Sequence, residues 1–205
     1  MSYRGLTLSL AALVGALGVV GAEGARAAQA DPAAARIESF DSSLLDVMKS
    51  AGALGAKGRY RKLAPVIEST FDIPLMTRVA VGAPWAGMSE ADRAALIKGF
   101  AKLSAASYAH NFDAFGGEKF TIEPKIDSRG PDKVVQSHIV PVRGAPTALT
   151  YRMRQGAEGW KIVDVYYGAI SQLATRRADF ASPLAAGGAK GLAAHLDALS
   201  EKLLK

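Results

Sequence analysis

Near residue 118 the spacing of apolar residues changes from about 3.6 to about 2, and just after residue 168 it changes back. A chain with that order cannot alternate strand and helix along its length. It must gather its strands into one block and cover them with helices from both ends, which is an α+β layout. The predicted fold is a curved four-stranded antiparallel sheet packed against several helices that enclose an apolar pocket.

The first helical block carries Ile37, Phe40, Leu44, Met48 and Ala51 on one face, predicting a helix from Pro32 to about Leu54, ended by Gly55 and Gly58. A second helix carries Leu63, Ile67 and Phe71, started or kinked by Pro65, and a short third runs from Pro74 to Val81. The clearest helix begins at Ser89, with Asp92 as capping partner, and has the stripe Leu96, Phe100, Leu103 and Ser107. Ile97, Tyr108 and Phe115 widen that stripe.

In the strand block, Phe120, Ile122, Pro124 and Ile126 alternate with polar residues, as do Leu149, Tyr151 and Met153. Lys133–Val142 and Trp160–Tyr166 supply the other two strands. The turns Gly130-Pro131-Asp132, Arg143-Gly144-Ala145 and Gln155 to Gly159 suit hairpins, so the strands form an antiparallel meander. Two helices follow, one with Ile170, Leu173 and Phe180, the other with Leu192, Leu196, Leu199 and Leu203.

Residues 1–30 follow another rule. Arg4 gives a basic start, Leu6–Ala22 is an apolar run, and the small-residue sites Ala25-Arg26-Ala27 and Ala28-Gln29-Ala30 follow. That pattern predicts a secretory signal peptide ahead of a single domain over residues 31–205. The run is shorter than the ~20 residues of a spanning helix, which argues against an anchor. Export fits a chain with no cysteine only if the core alone supplies stability. The net charge is +6, of which Arg4, Arg26 and Glu23 account for +1. A surface of that charge suits either attraction to anionic lipid headgroups or ordinary solubility, while dispersed charge and export both argue against nucleic acid as a partner.

Catalytic patterns are missing. His110, His138 and His195 lie on separate elements without metal-ligand spacing, and there is no nucleophile elbow, phosphate loop or dinucleotide fingerprint. Asp72 and Asp164 could pair with His138 only if the fold brought them together. Asp72 reads more simply as a turn or cap residue, and Asp164 as the partner of Arg152 or Arg154 on the next strand. An enzyme using a cone-shaped α+β pocket and a non-catalytic envelope assembly protein with a filled core remain the alternatives. The fourth strand is apolar on both faces, with Trp160 and Ile162 on one and Val163, Val165 and Tyr167 on the other, which leaves room for a pocket between sheet and helices.

Three blocks carry a resemblance. Phe71-Asp72-Ile73-Pro74-Leu75-Met76, Val81-Gly82-Ala83-Pro84-Trp85 and Met88 to Arg93 resemble the opening of the MlaC-like, toluene-tolerance auxiliary family. Tyr151-Arg152-Met153, Gly159 to Val165 and Gly168-Ala169-Ile170-Ser171 resemble its closing block, so the likeness spans about residues 36–204. Leu173-Ala174-Thr175-Arg176-Arg177-Ala178-Asp179-Phe180 is most similar to the hopanoid-associated HpnM branch.

The resemblance implies a periplasmic carrier that takes a hopanoid or phospholipid from one membrane-embedded transporter complex and delivers it to another. It implies no cofactor, metal or catalytic residue. The candidate lining is Phe100, Leu103, Tyr108, Phe120, Ile122, Leu149, Tyr151, Trp160, Ile162 and Ile170. Arg152 and Arg154 are candidates for the headgroup.

Overall fold

The computed structural model describes residues 31–205, and the signal-peptide reading of residues 1–30 lies outside the described residues. Four helices come first: α1 (Pro32–Lys49), α2 (Ala51–Thr70), α3 (Ile73–Val81) and α4 (Glu90–Asn111). A short 3-10 turn, Ala83–Gly87, joins the last two. The strands are β1 (Lys119–Ile122), β2 (Asp127–Arg129), β3 (Asp132–Val140), β4 (Thr147–Gly156), β5 (Gly159–Tyr167) and β6 (Ile170–Ser171). The chain ends in α5 (Gln172–Leu203).

The helix starts follow local chemistry. Asp31, Asp72, Ser89 and Ser171 each accept a backbone N–H of the first turn through the side chain, which satisfies donors that have no partner within the helix. Ser89 also donates to Asp92 Oδ2 at 2.7 Å, so both residues of the expected capping pair are engaged. The helix ends differ from expectation. α1 stops at Lys49, and the break at Gly55 falls inside the next element, where φ is 59°. Gly58 ends nothing: it is helical and buried, and the helix runs on through exposed Pro65. The two predicted C-terminal helices run as one element that breaks at Gly188, whose φ of 58° only glycine adopts without strain.

The sheet is antiparallel, with order β1-β3-β4-β5-β6 and β2 also paired to β3. It therefore has six strands where four were expected. One extra arises because the predicted strand over 119–126 breaks in two. Four residues separate Ile122 from Asp127, while only two separate their partners Ser137 and Val134, so the chain loops out around Pro124, which has no N–H for the ladder. The other extra is β6, because Ile170 pairs with Tyr167 instead of starting the last helix.

β5 holds the second departure. Arg152 pairs with Asp164 but Met153 pairs with Ile162, so Val163 is an extra residue in a β-bulge. A strictly alternating strand would put Ile162, Asp164 and Tyr166 on one face. The bulge instead places Ile162, Val165 and Tyr167 opposite Met153, Tyr151 and Leu149, on the face toward the helices. Asp164 and Tyr166 pair across from Arg152 and Thr150 on the outer face.

The helices pack on the inner face. Ile37, Phe40 and Leu44 of α1, Leu63 and Ile67 of α2, Leu96, Phe100 and Leu103 of α4, and Leu192 and Leu196 of α5 join Val135, Tyr151, Met153 and Ile162 in one core. Gly99 lets α4 approach α5 closely, since a Cβ there would stand 3.1 Å from Leu196 Cδ1. Buried Arg59 of α2 donates to the carbonyls of Ala109 at 2.7 Å and Ala51 at 3.2 Å, and Ala109 lies in the last turn of α4, where the helix dipole favours a cation.

Candidate functional site

Between the inner sheet face and helices α3, α4 and α5 lies a cavity of about 590 Å³. That volume is in the range of pockets that enclose most of a small organic ligand. Its floor is buried and apolar: Phe71, Met76, Phe100, Leu149, Val165 and Leu173. Its rim is polar and accessible: Asn111, Thr147, Gln172 and Arg176, beside Tyr167, which is 57% exposed.

Each wall has a local cause. α4 presents Phe100, Ser104, Ser107 with Tyr108, and Asn111 with Phe112, one helix face at spacings of three and four. Phe71 is held against the sheet by a parallel bridge to Ile162 and by the Asp72 N–H, which donates to the Ile162 carbonyl at 2.9 Å. Asp164 fixes the start of α5: it accepts from Ser171 Oγ at 2.7 Å and from the Leu173 N–H at 3.1 Å. That anchor sets Leu173 in the floor and Arg176 at the rim. Arg176 makes only long contacts there, 3.4 Å each to Ser107 Oγ and Asp179, so its guanidinium has donors to spare.

A second hollow of about 550 Å³ opens between α1 and β1, lined by Leu45, Phe120, Ile122 and Ile126 with Glu38, Asp41 and Glu123. A chain of rings separates the two spaces. Phe40 meets Phe71, Tyr108 and Tyr151 edge-on, Tyr108 stacks on Phe112 at 5.6 Å, and Phe112 reaches Phe120 at 6.3 Å. Asp41 lies among them, only 3% exposed. Burial pushes its carboxyl up to about 7, against the pull of the Ser137 hydrogen bond. Burial likewise raises the phenols of Tyr108 and Tyr151, with the Asp41 charge adding to both.

The ten expected lining residues are spread over several settings. Phe100, Tyr108 and Leu149 line the 590 Å³ cavity, and Phe120 and Ile122 line the second hollow. Leu103, Tyr151 and Ile162 are wholly buried in the core. Trp160 is half-buried under the Lys133 ammonium, 4.8 Å from the ring centre. Ile170 is 63% exposed.

Arg152 and Arg154 do not line the cavity. Both reach Asp132 on the outer face, because even-numbered β4 residues point away from the helices. Asp132 thus takes the place that Asp164 was expected to fill. The expected acid–base candidates also stay apart: Asp72 caps α3, Asp164 anchors α5, and His138 faces Glu123 at 3.6 Å. Among the described residues no group of three His, Asp or Glu is placed to hold a metal ion. No helix among them is long and apolar enough to cross a membrane.

The sequence reading assigns none of Ser104, Asn111 and Arg176 to the lining, and it has Ser107 only on the α4 stripe. The helical spacing from Phe100 to Phe112 was available, but polar residues interrupt the apolar stripe and hide it. Val165 and Tyr167 are expected on the face opposite to Ile162, but the bulge, which nothing local marks, brings all three to one face.

Comparison with known proteins follows the same geometry. A search of curated proteins returns no match. The crystal structure of a phospholipid-binding protein from Ralstonia solanacearum, in complex with a phospholipid, superposes with a TM-score of 0.74 at 22% identity. The match covers 85% of this chain and all of that one, and it establishes a shared fold. The MlaC protein family matches residues 38–198, and over that span the chain belongs to the MlaC family.

Proposed function

We propose that this protein is a non-catalytic periplasmic carrier that holds the apolar part of one hopanoid or phospholipid in the cavity between its sheet and α3, α4 and α5. The observation that carries the reading is the cavity's division into a buried apolar floor and a polar rim around Arg176. Family membership and the likeness to a protein crystallised with a phospholipid support it.

The physical task is simple. Each methylene exposed to water costs about 0.8 kcal/mol, so a membrane lipid crossing an aqueous gap alone faces a barrier of order 20 kcal/mol. An apolar lining removes most of that barrier without any bond being made or broken. Leu149, Val165 and Leu173 would face the hydrocarbon, while Arg176 and Gln172 would meet the polar end. The carrier would accept its lipid at one membrane-embedded complex and release it at another, with the partner biasing the cavity toward opening.

The test is direct. The protein is purified without detergent and extracted with organic solvent, and the extract is analysed by mass spectrometry. A stoichiometric lipid is expected, and its identity separates hopanoid from phospholipid. Empty extracts, together with no transfer of labelled lipid between vesicles, would overturn the reading.

A further inference from the structure

The outer face of the sheet carries a smaller cleft of about 230 Å³, lined by Arg129, Asp132, Val134, Thr150, Arg152 and Tyr166, with Gly168 at its edge. It lies on the opposite side of the sheet from the lipid cavity, because Val134, Thr150, Arg152 and Tyr166 pair with one another on the face away from the helices.

Its chemistry is one-sided. Asp132 is the acid among the lining residues, and both its oxygens are engaged: Oδ2 by Arg152 Nε and by Arg154, and Oδ1 by Arg154 Nε. Burial raises the Asp132 carboxyl, but the Arg154 and Arg152 guanidinia outweigh it and hold the group below its usual range, so it stays ionised and acts as an internal counter-ion. What it leaves is an excess of donors. The terminal nitrogens of Arg152, the Arg129 guanidinium and the hydroxyls of Thr150 and Tyr166 have no hydrogen-bond partner among the described residues. Three guanidinia stand against one carboxylate.

The other nearby acids are occupied elsewhere. Asp164, opposite Arg152, accepts from Ser171 and the start of α5, and Asp127 of β2 pairs with Lys125 at 3.1 Å. One arginine fork held by Asp132, with a second, exposed arginine and two hydroxyls beside it, suits an oxyanion with several acceptor oxygens. The volume suits one such group with a little water, since a water molecule occupies roughly 30 Å³.

We infer that this cleft on the outer sheet face binds a phosphate group, through Arg129, Arg152, Thr150 and Tyr166, with Asp132 fixing the Arg152 guanidinium in place. The group comes either from free inorganic phosphate or from the phosphodiester of a lipid headgroup at a membrane surface. In the second case the cleft would orient the carrier with its sheet toward the bilayer.

The experiment has two arms. In the first, inorganic phosphate is titrated into isotope-labelled protein and followed by NMR. Saturable shifts are expected at the amides of Thr150, Arg152 and Gly168, and Arg129→Gln should weaken binding by roughly tenfold. Tyr166→Phe should weaken it less. Lys98→Gln, which removes the same charge from an exposed site on α4, should leave it unchanged.

In the second arm, the same variants are sedimented with phosphatidylcholine vesicles, with and without phosphatidylglycerol. Binding to the anionic vesicles that Arg129→Gln lowers more than Lys98→Gln identifies a headgroup as the source. Phosphate binding without that difference identifies the free anion. If phosphate produces no saturable shift, and both variants lower vesicle binding equally, the site does not exist and only diffuse surface charge remains.

Discussion

Ser137 of β3 donates its hydroxyl to Asp41 of α1 at 2.8 Å, and the second oxygen of that carboxylate has no hydrogen-bond partner. The Tyr151 hydroxyl beside it is also unpartnered. The bond ties the first helix to the middle of the sheet, at the wall between the two hollows, through an acid whose burial favours its neutral form.

Asp41 therefore makes stability fall with pH. Its carboxyl binds a proton more tightly in the folded chain, at about 7 instead of 3.8, so the folded state is favoured most below the lower value. Stability declines as pH rises from 3.8 to about 7 and is level above that. Each tenfold change in proton affinity is worth roughly 1.4 kcal/mol. In Asp41→Asn, which keeps the oxygen facing Ser137, the decline should flatten. Urea denaturation across this range measures both slopes, and equal slopes would assign the dependence to other groups.

Filling the cavity should remove ligand and spare the fold. Ser104 stands on the cavity face of α4, where an indole has room. Ser104→Trp should lower the amount of co-purifying lipid by roughly tenfold, while the helical circular dichroism stays unchanged. A variant that retains its full complement of lipid would place the ligand elsewhere.

Asp164 should matter for stability through the start of α5. Asp164→Ala removes the acceptor for Ser171 Oγ and leaves the Leu173 N–H without its partner, at a cost of about 2–3 kcal/mol. Hydrogen exchange should accelerate at Leu173 and Ala174 before it does in the middle of β4. Protection unchanged at those amides would show that packing of Leu173 alone holds the helix start.

Lys102 should matter little, despite two short contacts. It bridges α4 to α5 through Asp197 and Glu201, both at 2.6 Å, and these bonds raise its pKa. All three side chains are substantially exposed, so water and salt screen the pair. Lys102→Ala should cost less than about 1 kcal/mol in chemical denaturation, and high salt should erase the difference.

The elements that the sequence revealed are those fixed by near neighbours. The change of apolar period marked the strand block, and side chains three residues away capped α3 and α4 at Asp72 and Ser89. What stayed hidden depends on distant parts of the chain. The partner of Arg152 is Asp132, twenty residues earlier, and no local pattern prefers it to Asp164. The split of the first strand at Pro124 had a visible cause, yet the alternation of Phe120, Ile122 and Ile126 outweighed it.

The cavity was legible as a kind of space but not as a set of side chains. Leu103 and Phe100 belong to the same stripe of α4, yet Leu103 is sealed in the core while Phe100 also borders the hollow. That difference depends on what the rest of the chain packs against each residue, which the composition of α4 does not encode.

Val163 makes β5 tolerant of shortening at one position. Losing a residue beyond Asp164, such as Val165 or Tyr166, would shift the pairing, sending a carboxylate inward and a valine outward. Losing Val163 itself would join Ile162 directly to Asp164 and restore plain alternation, with every remaining partner unchanged. A relative lacking that residue would keep the same interior, on a flatter sheet.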